Sequence, residues 1–510
     1  MAWTNGLLKA FMASWLVMPA PAVAQQAQPN PAQTDIVRRG EYLARAGDCF
    51  SCHTREGGAL MAGGRQIQTP YGTIGSPNIT PDNDTGIGKW SDDDFYRTLH
   101  EGLGQNRSYI YPVMPFDHYT KVTREDALAI KAYLFSLPPV HAPDPENHLQ
   151  FPYNIRTAMA GWRLLFFKAG TVQPDPSLSA QENRGAYLVE GLGHCGACHT
   201  PHNALGSSKQ KDALGGGEIA GQGWFAPNIS SDVREGVGGW SNEQLVSYLK
   251  TGVAPGRSIV AGPMSEVVHT SLQYLTDEDL LAIASYLKAT PGKELYAERQ
   301  LATPPGATEY LNHCSFCHQP DGKGIAGAVP ALAGNGAVIA GGPENVIRTI
   351  LAGMPARGSF APMPGMATTL GSAEIANIAN YVRTSWSNAA PTTATVAMVD
   401  DLVKSTSTML SGTAGCAKVG PQPLSDAIKM RGIDPLLQQV NAANMLEQVN
   451  AILARLHTPD TGVSQADLVN GLTTAYCPTA LGDTGLPPKA RLELLQRFAG
   501  LTYTQLQHRP

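Results

Sequence analysis

Three pentapeptides in this chain set two thiols and an imidazole at one spacing: Cys49-Phe50-Ser51-Cys52-His53, Cys195-Gly196-Ala197-Cys198-His199 and Cys314-Ser315-Phe316-Cys317-His318. Cys-x-x-Cys-His is the attachment signature of a c-type haem. Two thiols add across the two vinyl groups of one porphyrin, so they must share one face of a short helical turn. The histidine that follows lies under the iron and supplies its proximal nitrogen. One such pentapeptide can occur by chance; three, each near the start of a similar segment, are hard to explain otherwise. The expectation is three covalent haem c groups, held by Cys49, Cys52, Cys195, Cys198, Cys314 and Cys317, with His53, His199 and His318 on the irons. Zinc would need four ligands per site, and each motif offers three. A thioredoxin-like motif would sit in a βαβ pattern, which the chain lacks.

An iron that only carries electrons needs a second strong axial ligand, because an open position would bind small molecules. A thioether is soft and neutral, and a His/Met pair raises the potential. Met114, Met264 and Met363 are assigned this role. Met114 lies 24 residues after Trp90, and Met264 lies 24 residues after Trp240. A lone methionine is usually core filler, but a repeated register is not expected of filler. Met363 has Met354-Pro355 and Met366 as neighbours that compete for the assignment. His194, His202 and His313 stand beside the motifs and read as surface or supporting groups. Trp90, Trp240, Asn78 and Asn228 read either as haem-edge contacts or as loop anchors.

The elements that must position these groups come from an internal repeat. Arg39-Gly40-Glu41-Tyr42-Leu43, the first motif, Pro77-Asn78-Ile79-Thr80 and Trp90-Ser91 align with Arg184-Gly185-Ala186-Tyr187-Leu188, the second motif, Pro227-Asn228-Ile229-Ser230 and Trp240-Ser241. Ser91 and Ser241 are natural N-caps, with Asp94 or Glu243 in the first turn, and Gly102 and Gly252 end those helices. Thr123 and Thr276 open a last helix in each copy, with Ile130, Tyr133 and Leu134 or Ile283, Tyr286 and Leu287 on one face. The third unit is shorter, with Tyr310 before its motif and a helix from Ser372 carrying Ile375, Ile378, Tyr381 and Val382. The fold expectation is all-α: three tandem cytochrome c domains over 35–140, 179–292 and 300–388, plus a small helical C-terminal domain over 395–510.

With the triple motif, the Pro-Asn-Ile segments and the tract Ala261-Gly262-Pro263-Met264 followed by Ser271-Leu272-Gln273-Tyr274-Leu275, the sequence resembles a known family over about residues 35–390. It is similar to the three-haem cytochrome c subunit of membrane-bound periplasmic dehydrogenases of acetic acid bacteria and related proteobacteria. The resemblance implies a subunit that takes electrons from a catalytic partner and passes them through its haems to membrane ubiquinone. That partner could carry flavin, PQQ or a molybdenum cofactor. In such proteins the region matching 141–178 lies toward the membrane. Here it holds the apolar stretches Phe151–Arg156 and Trp162–Phe167, which suit an interfacial segment or equally a packed interdomain helix. The chain departs from the family after a linker near Ala389-Ala390-Pro391-Thr392-Thr393. The residues beyond it carry no haem motif and read as helices, for example Met445 to Leu453 and Arg491 to Phe498.

Composition sets the outer limits. The chain has 510 residues, a net charge of −5 and 15% charged residues, so nothing points to nucleic acid. Lys9, the apolar run Ala10 to Met18 and Ala22-Val23-Ala24 read as a signal peptide over residues 1–24, which implies a periplasmic protein. No later run approaches the ~20 apolar residues of a membrane span, so membrane contact is expected to be peripheral. Six of eight cysteines sit in the motifs. Cys416 and Cys477 are left, either as a disulfide in an oxidising compartment or as two free thiols. No Gly-x-Gly-x-x-Gly, Gly-x-Ser-x-Gly or acid pair offers a site for oxidising an organic substrate. The competing reading is a free-standing multi-haem peroxidase, which needs one iron with an open distal position; the methionine available to each motif counts against it.

Overall fold

The computed structural model describes residues 31–219, 221–294, 305–355, 357–406, 428, 431–456 and 465–507. It is mostly helical, with short antiparallel sheets confined to the loops. The first unit runs α1 (Pro31–Ala46), α2 (Cys49–His53), α3 (Asp92–Glu101), α4 (Phe116–Tyr119) and α5 (Arg124–Ser136). A connecting segment carries α6 (Met159–Phe166). The second unit runs α7 (Ala180–Ala186), α8 (Gly196–His199), α9 (Asn242–Thr251), α10 (Gly262–Thr270) and α11 (Asp277–Ala289). The third has α12 (Ala307–His313), α13 (Ser315–His318), α14 (Glu344–Ala352) and α15 (Ser372–Thr384). Then come α16 (Val396–Ser405), α17 (Asp434–Gln439), α18 (Met445–Arg455), α19 (Gln465–Gly482) and α20 (Pro488–Gln507).

Local chemistry sets the helix boundaries. The Ser91 hydroxyl accepts from the Asp94 N–H while the Asp94 carboxylate accepts from the Ser91 N–H, and Ser241 and Gln244 repeat the exchange. Gly102 and Gly252 stop these helices in the left-handed region, at φ 63° and 80°. Thr123 and Thr276 cap the last helices through the N–H groups of Asp126 and Asp279.

Within each unit the first and last helices cross at a glycine. A Cβ on Gly40 would fall inside contact with the Ala129 carbonyl, one on Gly185 would meet the Ala282 carbonyl, and one on Gly306 the Asn377 carbonyl. Tyr133, Tyr286 and Tyr381 flank the same three crossings. From the crossing glycine to the first motif cysteine the second unit has one residue more than the first. A π-helical turn over Tyr187–Leu192 absorbs it, as such a bulge does for a one-residue insertion.

The first two units share one hydrophobic core, which includes Leu43, Ile130 and Leu134 from one and Leu188, Leu280 and Ile283 from the other. A pseudo-twofold set of polar bonds crosses between them. The Tyr42 hydroxyl donates to Asp279 at 2.6 Å and accepts from the Thr276 N–H at 3.2 Å. Its repeat equivalent Tyr187 donates to Asp126 at 2.6 Å and accepts from the Thr123 N–H at 3.3 Å. Each aspartate also accepts from Nε and one Nη of its own unit's arginine, Arg184 on Asp279 and Arg39 on Asp126. The third unit shares its core with the C-terminal helices instead: Tyr310, Ile347 and Ile378 pack with Val449, Leu472, Tyr476 and Phe498.

Gly40→Ala or Gly185→Ala should therefore lower stability by about 1–3 kcal/mol, the usual cost of forcing extra atoms into a packed contact. Chemical denaturation of the full chain measures this. Unchanged midpoints would contradict the close crossing.

Candidate haem-binding sites

Each Cys-x-x-Cys-His pentapeptide folds as one short helix, α2, α8 or α13. The chain enters the first two through a left-handed residue just before the motif, Asp48 at φ 49° and His194 at φ 38°. Each motif histidine then meets a proline carbonyl through Nδ1: His53 with Pro77 at 2.8 Å, His199 with Pro227 at 2.7 Å and His318 with Pro330 at 3.1 Å. A carbonyl can only accept, so Nδ1 carries the proton and Nε2 keeps its lone pair, the form that ligates a metal.

One glycine in each unit ties the histidine backbone to that proline loop. The N–H groups of Gly63, Gly216 and Gly324 donate to the carbonyls of His53, His199 and His318 at 2.8, 2.9 and 3.0 Å. All three glycines are left-handed, at φ 67°, 92° and 66°. A Cβ there would press on the loop, 2.5 Å from the Pro77 carbonyl oxygen, 3.0 Å from the Pro227 carbonyl carbon or 2.7 Å from the Pro330 carbonyl oxygen. Sequence reading missed these glycines and Pro330. The Pro-Asn repeat marked Pro77 and Pro227, but the third loop closes over 12 residues instead of 24 or 28 and has no asparagine after its proline.

The surroundings reject charge. Burial holds the imidazoles of His53 and His199 below the ordinary histidine range and pushes His318 down to about 4. The same dense surroundings push the thiols of Cys49, Cys195 and Cys314 up to about 12 and those of Cys198 and Cys317 to about 11; Cys52 is also raised. Neutral imidazole and neutral thioether sulfur are the forms a bound haem c requires, so the residues present fit the group.

Met114 and Trp90 line one cavity with Cys49, Cys52 and His53. Met264 and Trp240 line a second with Cys195, Cys198 and His199, and this second cavity runs on to Cys314, Cys317, His318 and Met363. Asp48, His194 and Cys198 line both cavities, so the three sites are contiguous. Met354 pairs with Met363 across a two-residue antiparallel ladder and lines the same cavity, so the structure brings both together. Met366 also lines it but is buried in the core.

Asn78 and Asn228 are loop anchors. The Asn78 amide donates to the Val140 carbonyl at 2.7 Å and its oxygen accepts from the Thr80 N–H at 2.9 Å. Asn228 bonds likewise to the Lys293 carbonyl and the Ser230 N–H. His202 lines the first cavity and His313 the second. His194 sits where the cavities join, edge-on to Tyr119 at 5.4 Å. Cys477 is buried and disulfide-bonded, and Cys416 lies outside the described residues.

The cytochrome c family model matches residues 292–386, the third unit. Across the longer chain, the cytochrome c subunit of alcohol dehydrogenase (quinone) from Gluconacetobacter polyoxogenes is 38% identical over 402 residues, covering 74% of this chain and 86% of that protein. The chain belongs to the family of dehydrogenase cytochrome c subunits. Two further members are the gluconate 2-dehydrogenase cytochrome c subunit of Pantoea cypripedii, 38% identical over 74% of this chain and 91% of its own, and the fructose dehydrogenase cytochrome subunit of Gluconobacter japonicus, 36% identical over 72% and 83%. As a dehydrogenase cytochrome c subunit the protein transfers electrons and carries covalently bound haem c.

His194 gives this cytochrome subunit a pH signature. Burial pushes its imidazole down to about 4, against about 6.5 in an unfolded chain. Between these values the unfolded chain binds more protons, so stability rises with pH across that window and is lost as pH falls through it. His194→Gln should flatten the slope of denaturation midpoint against pH there. Equal slopes in variant and parent would contradict a buried, neutral His194.

Proposed function

We propose that this chain relays electrons through three covalent haems, from a catalytic dehydrogenase subunit to ubiquinone at the periplasmic face of a membrane. The observation that carries the reading is the contiguity of three like sites, each with a cysteine pair, a histidine pinned by a proline carbonyl and a nearby methionine. In this reading Cys49 and Cys52, Cys195 and Cys198, and Cys314 and Cys317 hold the porphyrins. His53, His199 and His318, with Met114, Met264 and Met363, would supply the nitrogen and sulfur ligands to the irons. Each bound haem supplies a one-electron couple whose potential the axial ligands and their surroundings set. The chain's own part is to keep both axial groups neutral, fix the imidazole tautomer and hold neighbouring sites close.

The catalytic partner is inferred from the relatives, which are named as subunits of alcohol, gluconate and fructose dehydrogenases. A place outside the cytoplasm is supported by the leader-like residues 1–24, which lie outside the described residues. No helix among the described residues is long and apolar enough to cross a membrane. Peripheral contact is supported by the 141–178 segment. There Trp162 is buried and donates to the Leu205 carbonyl at 2.9 Å, while Leu164, Leu165 and Phe151 stand out at 86%, 71% and 79% exposure. Exposed Arg156 and Lys168 flank this patch, a composition suited to a lipid headgroup layer. The domain reading of 35–140, 179–292 and 300–388 as three haem units, with 395–510 as a separate addition, belongs to the same proposal.

The test is a ligand series on the holoprotein. Met114→Ala should lower one haem potential by removing the thioether and open that iron to carbon monoxide. Met363→Ala should do the same at another haem, while Met354→Ala leaves all three closed. Carbon monoxide binding in the Met354 variant with none in the Met363 variant would reverse that assignment. An unchanged titration of the Met114 variant would refute its ligand role.

A further inference from the structure

The motif helices of the first two units are covered by each other's unit. α2 lies against α10 of the second unit, where the Thr270 hydroxyl donates to Asp48 at 2.7 Å. A Cβ on Gly196 of α8 would meet His118 of the first unit at 2.9 Å. Among the described residues the third motif has no such partner unit. Its helix α13 packs instead on α20, where a Cβ on Gly500 would lie 3.0 Å from the Phe316 ring.

The contact continues into the crevice. Val469 and Thr473 of α19, and Leu495, Gln496 and Ala499 of α20, line the same cavity as Cys314, Cys317, His318 and Met363. All five are buried. Residues 495, 496 and 499, together with 500, fall on one side of α20. Four of these positions offer the crevice nothing polar. The Thr473 hydroxyl is spent on the Val469 carbonyl at 2.6 Å. Gln496 differs: it is 8% exposed, and among the described residues its amide has no hydrogen-bond partner.

We infer that α19 and α20 form an in-chain cap on the third haem, and that Gln496 is the polar group the cap presents to it. This rests on the reading that Cys314, Cys317 and His318 hold a haem. The cap takes the place that the first two units occupy for each other, so the motif side of the third site is closed to a partner protein. Gln496 keeps one dipole beside that haem, in a lining that also holds Asn335 and His313, and so sets that haem's potential apart from the other two.

Redox titration of the full-length holoprotein tests this. Gln496→Glu puts a carboxylate in the crevice; negative charge favours the ferric state. One of the three midpoints should fall, and fall further as pH rises and the carboxylate ionises, while the other two stay. Gln496→Met removes the dipole at similar volume and should shift the same single midpoint, which keeps the test alive if the glutamate variant does not fold. Thr504→Glu, on the exposed side of α20, should move none. Three unmoved midpoints in both Gln496 variants, or three that move together, would overturn the cap. A chain that carries fewer than three haems defeats the underlying reading instead.

Discussion

A neutral imidazole with Nδ1–H committed to a proline carbonyl is the constraint around which each unit is arranged. The bond is worth little in net stability, about 0.5–1.5 kcal/mol. Its value is directional: it fixes the tautomer and the ring plane. To make it, the chain must bring a loop back over the motif helix. That requires a left-handed glycine under the histidine backbone, at Gly63, Gly216 or Gly324. It also requires a first helix that delivers the motif at the right height, which the glycine crossings with α5, α11 and α15 set. Where the first helix is one residue too long, a π-turn takes up the excess so that the motif still meets its proline.

The same constraint leaves each motif helix short, with four or five residues, and unable to bury itself. Cover comes from outside the unit. Units one and two solve this reciprocally, with Tyr42 on Asp279 and Tyr187 on Asp126. Each tyrosine reaches an aspartate already neutralised by an arginine of its own unit, so the paired charges stay satisfied when the interface closes. The third unit is covered by chain that follows it. Among the described residues the four consecutive segments form two cores, and the cavities that run between the sites follow from this pairing.

Much of the helical frame is legible in the residues because its signals are local. Ser91, Ser241, Thr123 and Thr276 cap helices through bonds that span three residues, and Gly102 and Gly252 stop them within one. The motif spacings are equally local. The tyrosine–aspartate exchange is not, because its partners lie 237 and 61 residues apart and neither residue type is unusual at its position. Asn78 and Asn228 were caught by the repeat, yet the repeat alone could not separate a loop anchor from a haem contact. Pro330 escaped because its loop spans 12 residues where its counterparts span 24 and 28. The C-terminal helices show their amphipathic pattern in sequence, but only packing reveals that Gln496 lines a crevice shared with Cys314, Cys317, His318 and Met363.

Intact mass spectrometry of the mature polypeptide, produced in a host able to attach haem c, tests the central claim most directly. The account predicts a chain heavier by three porphyrin groups, with each group recovered on its own cysteine pair after proteolysis. A mass equal to the bare polypeptide, or one with a cysteine pair left free, would contradict it.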